Sequence, residues 1–486
     1  MEEQASMEEA RSPVDTVITK EPERIAENVT VLRDERSSHE VIQVVQEGYR
    51  SYCNTLRGLI VDYMFSSFHE RNESRRFFFG LKPNEAFGVM EVELNFMYDE
   101  LFTKMATVHR NYYGYLFRFT CSILIMVAFM LFKSHEKLYF VDLPITYALL
   151  VGAMILEFVA LIKILFSDWT IVRLKHSTFL NVIHSIHTRV SDQARWSESI
   201  SQHNLISYCL KKRFKWLVSI TDHFGLKSTL DELRHKSHMH ADEGIKNFIF
   251  YELKGTAQGM SDAVAREICY SRGKGAITDH ENLDSVKSSV MDVEYDKSVL
   301  LWHIATDLLY FTIDAPNQDD EPKPDHRQIC KILSDYMLYL LVMRPTMMSE
   351  VAGISQIRFQ DTCAEAMRFF HGGKSMSEQK EACEKLLSVN TRVKPVEVKG
   401  DKTKSLLFDA CILAKDLRTV DCDEMWEMMS KVWLELLCFG ASHCKGNAHA
   451  QQLSKGGELI TFVWLLMAHF GLGDQFSMGG GHARTN

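Results

Sequence analysis

The chain has 486 residues, 46% of them hydrophobic, and a formal net charge of −9 at pH 7. That length has room for about three domains with ample core, and the acidic balance argues against a general nucleic-acid binder. Eleven cysteines, an odd total without a C-x-x-C pair, fit reduced thiols facing the cytosol better than a disulfide framework.

Residues 1–38 are rich in Glu, Arg and Ser, contain Pro13 and Pro22, and hold no apolar run that would read as a secretory signal. They are expected to form a disordered acidic tail, because so few large apolar residues cannot offset the entropy of ordering. Helical periodicity follows from Glu40 to Phe79 through Val41, Val44, Val45, Leu56, Leu59, Ile60, Tyr63 and Met64, with the charged run His69 to Arg76 as a break. Another helix is predicted over Glu85 to His109, with Phe87, Met90, Leu94, Met97, Leu101 and Met105 near helical spacing.

The stretch that water holds least well comes next. Phe119 to Phe132 is nearly charge-free, and extended back to Tyr112 it approaches the ~20 residues needed to cross a bilayer. A polar turn, Lys133 to Asp142, separates it from a second apolar run, Pro144 to Phe166, with Pro144 near the start, where a missing N–H costs least. Aromatic residues gather at the edges of both runs, so a two-helix transmembrane hairpin over 112–166 is predicted; a pair of buried core helices is the alternative. Within the hairpin, Arg118 would lie about 9 Å inside Tyr112 and Glu157 about 13 Å inside Phe166, at ~1.5 Å per residue. Antiparallel packing would let these two meet as an intramembrane ion pair, with a proton or ion relay as the functional alternative, while Lys163 can snorkel to the headgroups. Lys104, Arg110, Arg118, Arg173 and Lys175 outnumber Lys133 and Lys137 in the turn, which places both termini in the cytosol.

Beyond the hairpin, Lys211, Lys212, Arg213 and Lys215 interleave with Phe214 and Trp216. Such a cluster either binds anionic lipid, at ~1 kcal/mol per cation, or is a solvated helix end. His235, His238 and His240, with Asp242 and Glu243, read as a solvated loop rather than a metal site, since helical ligand spacing is absent. Residues 271–297 read as a Gly/Ser/Asp-rich linker between a region at 40–270 and a helical domain at 298–476. The Gly273-Lys274-Gly275 within that linker lacks phosphate-loop spacing. In the helical domain, Ile329, Ile332, Leu333, Tyr336, Met337, Leu340 and Leu341 form one apolar stripe that stops before Pro345. Ser375 to Glu378 suggests a capping box for a helix through Leu387, and Leu406 to Leu417 and Met425 to Gly440 repeat the helical pattern. Leu459 to Phe470 is apolar but too short to span, so it belongs in the core. Residues 477–486 read as a flexible tail.

No nucleophile elbow, H-E-x-x-H helix, dinucleotide fingerprint or kinase motif set occurs. The residual constellation is Cys438, His443, Cys444 and His449, which could bind a soft metal or pair thiol with imidazole, or could simply pack. No cofactor is called for. The fold class is therefore all-α: a transmembrane hairpin with a large cytosolic helical domain. Its partners would be the lipid bilayer and other proteins, with no nucleic acid, and an interaction or scaffold role is expected rather than an enzyme; a membrane-tethered enzyme using the Cys/His residues is the alternative.

Five stretches carry a resemblance: Asn95 to Tyr115 (NFMYDELFTKMATVHRNYYGY), Arg195 to Ile206 (RWSESISQHNLI), Leu300 to Phe311 (LLWHIATDLLYF), Met343 to Ala366 and Asn447 to Phe476. In this order, and over roughly residues 40–476, they resemble the plant membrane-protein family DUF4220 with its C-terminal partner domain DUF594. The resemblance implies an integral membrane protein and brings no established activity. Members of that family begin with a block of further transmembrane helices where this chain has a polar tail, so it resembles a short form, and a transport or channel role built on that block is not implied.

Overall fold

The computed structural model describes residues 38–53, 68–110, 112–134, 142–165, 167–173, 196, 198–210, 237–259, 271–278, 283–314, 324–371, 378–390 and 405–472. The acidic tail before Ser38, the apolar positions Leu56 to Met64, Ser375, the basic-aromatic cluster and the C-terminal tail lie outside them. The described chain is helical apart from one two-stranded ribbon, and divides into two compact units, one drawing mainly on residues 38–173 and the other mainly on residues 198–472.

In the first unit, α1 (Ser38–Ser51) packs against α3 (Pro83–Phe102). Phe96 of α3 is fully buried, with the Tyr49 ring 5.1 Å and the Trp169 ring 5.0 Å from its own. The charged run expected to interrupt the preceding helix is itself helical, in α2 (Phe68–Gly80), because Glu and Arg are good helix formers and need no apolar face. Conversely, the helix expected over Glu85 to His109 is two. Thr103 ends α3 by donating its hydroxyl to the Asp99 carbonyl (2.8 Å) and accepting the Met105 amide (3.1 Å), which starts α4 (Met105–Arg110). A threonine side chain that satisfies local backbone groups competes with helix continuation.

Two long apolar helices follow, α5 (Tyr112–Ser134) and α6 (Asp142–Leu165), then the short α7 (Asp168–Arg173). Tyr147 near the start of α6 meets Phe132 and Phe129 near the end of α5 (ring centroids 5.2 and 6.2 Å), so the pair is antiparallel. Each has 22 residues of spanning composition, Tyr112–Lys133 and Pro144–Leu165, or about 33 Å of helix. Gly114 lets α5 turn tightly onto α4: a Cβ there would lie 2.5 Å from the Val108 carbonyl oxygen.

The second unit begins with β1 (Ser199–Gln202), paired antiparallel with β2 (Ser237–His240) in the register Ser199 to His240. Between the described strand ends stands α8 (Leu205–Leu210), and after them come α9 (Glu243–Gly259), α10 (Lys274–Ile277) and α11 (Asp284–Met291). The expected linker at 271–297 thus carries two short helices, and Ile277, Val286 and Val290 are buried. The unit boundary falls near residue 197 instead, because β1 and α8 bury their apolar side chains in the helical core. That core is built from α12 (Tyr295–Thr312), α13 (His326–Met343), α14 (Ser355–His371), α15 (Gln379–Leu387), α16 (Leu406–Leu417), α17 (Cys422–His443), α18 (Gly446–Leu453) and α19 (Leu459–Phe470). All seven residues of the α13 stripe are buried, as is every residue of α19. Three buried polar tips are matched across helices: Trp302 donates to Ser289 (3.0 Å), Trp433 to Thr306 (3.1 Å) and Tyr295 to the Leu436 carbonyl (2.7 Å), which offsets their removal from water.

Candidate functional site

The hairpin carries its polar residues on the inner face of the helix pair. Arg118 Nη2 lies 2.7 Å from Glu157 Oε2, and Ser122, one turn along α5, donates its hydroxyl to Glu157 Oε1. Glu157 is therefore held by two donors from the facing helix. Around this cluster the helices present apolar side chains outward: Phe117 is 72% exposed, Leu149 70% and Leu156 71%.

The four C-terminal Cys and His residues do not converge into a ligand set. Cys438 is buried within α17, and His443 spends Nδ1 on the Phe439 carbonyl (2.8 Å) with its ring against the Phe439 ring. Burial pushes the Cys444 thiol up to about 12, the opposite of an activated thiolate. His449 is fully buried, stacked on Trp464 at 4.6 Å. Its Nε2 can only donate to the Ala441 carbonyl (3.4 Å), so Nδ1 accepts from the Thr461 hydroxyl (3.2 Å); the ring is neutral, and burial pulls its pKa down to about 4. His238 and His240 stand on exposed β2, where His238 meets Ser199 (2.9 Å) and His240 meets Glu198 (3.2 Å); a strand replaces the expected loop, and His235 lies outside the described residues. Among the described residues no three His, Cys, Asp or Glu side chains form a group able to hold a metal ion.

A different constellation occupies the core of the second unit. Lys331 on α13 reaches Asp307 on α12 (2.6 Å) and Asp335 one turn along its own helix (2.9 Å). Asn204, between β1 and α8, donates Nδ2 to both Asp307 (2.6 Å) and Asp335 (3.0 Å), while its Oδ1 caps α8 at the Ser207 amide (2.8 Å) and accepts from Gln379 of α15 (2.8 Å). His303 of α12 completes the group. The Leu205 amide donates to its Nε2 (3.2 Å), so Nδ1 carries the proton and donates to the Ser334 hydroxyl (2.9 Å). The imidazole is neutral, and its approaches to Asp307 (3.9 Å) and Asp335 (3.8 Å) are not ion pairs. Burial pulls the His303 pKa down to about 4. It also lifts the Asp335 carboxyl above the usual range against the pull of Lys331. Burial alone would depress the Lys331 ammonium, but the two carboxylates hold it above its ordinary value. The sequence signal was two i, i+4 pairs, His303/Asp307 and Lys331/Asp335, each set among apolar residues of its helix. Chemically the cluster is saturated: every named polar atom already has a partner within the fold, which makes it a clamp on four elements rather than an acid–base pair open to substrate.

The glycine pair at 273–275 binds an anion that the chain itself supplies. Gly273 and Gly275 donate their amides to Glu435 Oε2 of α17 (3.0 and 3.1 Å), joined by the Ser271 hydroxyl. Successive backbone amides in such a turn make an anion-binding nest. Gly273 has φ +102, a conformation that favours glycine, and a Cβ on Gly275 would sit 2.5 Å from the carboxylate, which would have to move.

Two family matches fall on parts of the chain. Residues 2–209 match the Domain of unknown function (DUF4220), a range that holds the hairpin and Asn204, and residues 418–472 match the Protein of unknown function, DUF594, a range that holds α19 and His449. The first match reaches further toward the N-terminus than the motifs read from the sequence, the second is shorter than the helical region, and His303, Asp307, Lys331 and Asp335 fall between them. Neither curated proteins nor solved structures match the chain. The chain thus carries a DUF4220 match followed by a C-terminal DUF594 match, both of unknown function.

Proposed function

We propose that this protein is a membrane-anchored interaction protein. In this reading α5 and α6 cross a bilayer as a hairpin, both termini face the cytosol, and the helical unit of residues 198–472 meets protein partners at the membrane face. The observation that carries the anchoring is exposure. No residue in the most apolar window of α5 is buried, and only 6% of that of α6, whereas the comparably apolar α19 is wholly buried. Two exposed apolar helices in water would lose ~25 cal/mol for every Å² of apolar surface left uncovered, and lipid removes that loss. The ion pair supports the same setting, since Arg118 and Glu157 at depth are tolerable when each neutralises the other.

The interaction role is supported by how polar chemistry is used. The Cys and His side chains and the Lys331 cluster are engaged in packing and internal hydrogen bonds, which favours a structural, partner-binding unit over an enzyme. Membranes from cells expressing the full chain should retain it through alkaline carbonate extraction. Quantitative release into the soluble fraction would contradict the anchoring.

A further inference from the structure

We infer that the end of α3, through Tyr98, Leu101 and Phe102, lies in the interfacial layer of the same bilayer that the hairpin crosses, as a second membrane contact beside the spans. The inference rests on the hairpin reading and adds a surface to it. All three side chains are exposed, at 37%, 46% and 45%, and the i, i+3, i+4 spacing puts them on one face of the last turn of α3.

The acidic residues of that turn point the other way. Asp99 accepts from the Trp169 indole N–H (3.2 Å) and Glu100 from the Tyr52 hydroxyl. The outward face is therefore left to two aromatic rings and a leucine, followed by exposed Lys104. The Tyr98 and Phe102 rings pack on each other at 5.5 Å.

Four contacts within this unit fix the level at which the turn sits. Trp169 follows α6 by four residues, and its neighbour Thr170 donates to the Ile164 carbonyl in the last turn of that helix (2.6 Å). The Asp99–Trp169 bond ties the end of α3 to this point. His109 of α4 joins Thr170 (3.1 Å) and meets Tyr115 in the first turn of α5 edge to face (5.2 Å). The apolar face thus stands where both long helices end, level with Tyr112 and Tyr113, which are 73% and 77% exposed. Aromatic rings beside a cation at that depth suit the boundary between acyl chains and headgroups, and Lys104 is placed for lipid phosphates.

The test is spin-label accessibility on the full chain in vesicles of phosphatidylcholine and phosphatidylglycerol. Nitroxides are placed one at a time at Leu101→Cys and Phe102→Cys, in a Cys53→Ser background that removes an exposed native thiol. Leu124→Cys and Leu149→Cys report the spans, and Asp284→Cys reports water. Collision with oxygen, relative to a water-soluble nickel chelate, should be severalfold higher at Leu101 and Phe102 than at Asp284, and lower than at Leu124. A ratio equal to that at Asp284, with Leu124 still lipid-like, overturns the inference and leaves the hairpin intact. Protection from both probes also overturns it, because protein then covers the face. A water-like ratio at Leu124 and Leu149 overturns the hairpin reading itself.

Discussion

Lys331 is the cation that Asp307 and Asp335 share. With His303 neutral, Asp307 and Asp335 leave the cluster one negative charge in excess, and that arithmetic orders the variants. Lys331→Met leaves two carboxylates sharing Asn204 with no cation, and should destabilise by about 3–5 kcal/mol, the range for breaking a buried pair. Asp335→Asn removes the excess charge, keeps the Lys331–Asp307 pair, and should lose at most about 1–2 kcal/mol. Denaturant midpoints of the two variants check the order; equal losses would mean that the cluster is hydrated. His449 makes a prediction in pH. Its folded pKa, about 4, lies below its ordinary 6.5, so the unfolded chain binds the extra proton and stability falls as pH drops through that window. At pH 5 the loss from this residue is about 2 kcal/mol. Groups raised by burial, such as Asp335 and Glu435, push the other way, so the test is a difference: His449→Gln should flatten the slope of unfolding free energy between pH 6.5 and 4 relative to wild type. Much of this site was legible in part only. The i, i+4 polar pairs stand out in the sequence, but the partner that binds them together, Asn204, is 131 residues from Asp335, and only the fold supplies that proximity.

Among the elements, α16 spans Leu406–Leu417 as its periodicity indicates, and α13 and α19 follow from apolar pattern and length alone. Pattern and structure differ where a local polar group decides the outcome. Thr103 divides α3 from α4 through its hydroxyl, and residues 271–278 fold because their glycine amides find Glu435, 160 residues away from Gly275. Composition reports neither event. At this scale the antiparallel pair α5/α6 gives the sharpest energetic expectation. Glu157→Leu alone strands Arg118, and Arg118→Leu leaves Glu157 only the Ser122 hydroxyl, so each should reduce membrane insertion and steady-state abundance. The double variant should recover much of the loss, a non-additivity of ~0.5–3 kcal/mol. Strictly additive losses in that double-mutant cycle would show that the 2.7 Å contact contributes nothing to insertion.

At the scale of the whole molecule, the proposed topology puts Ser134 and Ser288 on opposite sides of a bilayer. The prediction comes from the excess of basic residues flanking the terminal ends of the hairpin and from the exposed apolar surface between them. The most direct measurement is membrane-impermeant thiol labelling of the full chain in sealed vesicles, with one engineered cysteine at Ser134, at the end of α5, and another at Ser288, on α11, each in the Cys53→Ser background. The two positions should label from opposite sides, Ser288 from the cytosolic side. Labelling of both from the same side would contradict that topology.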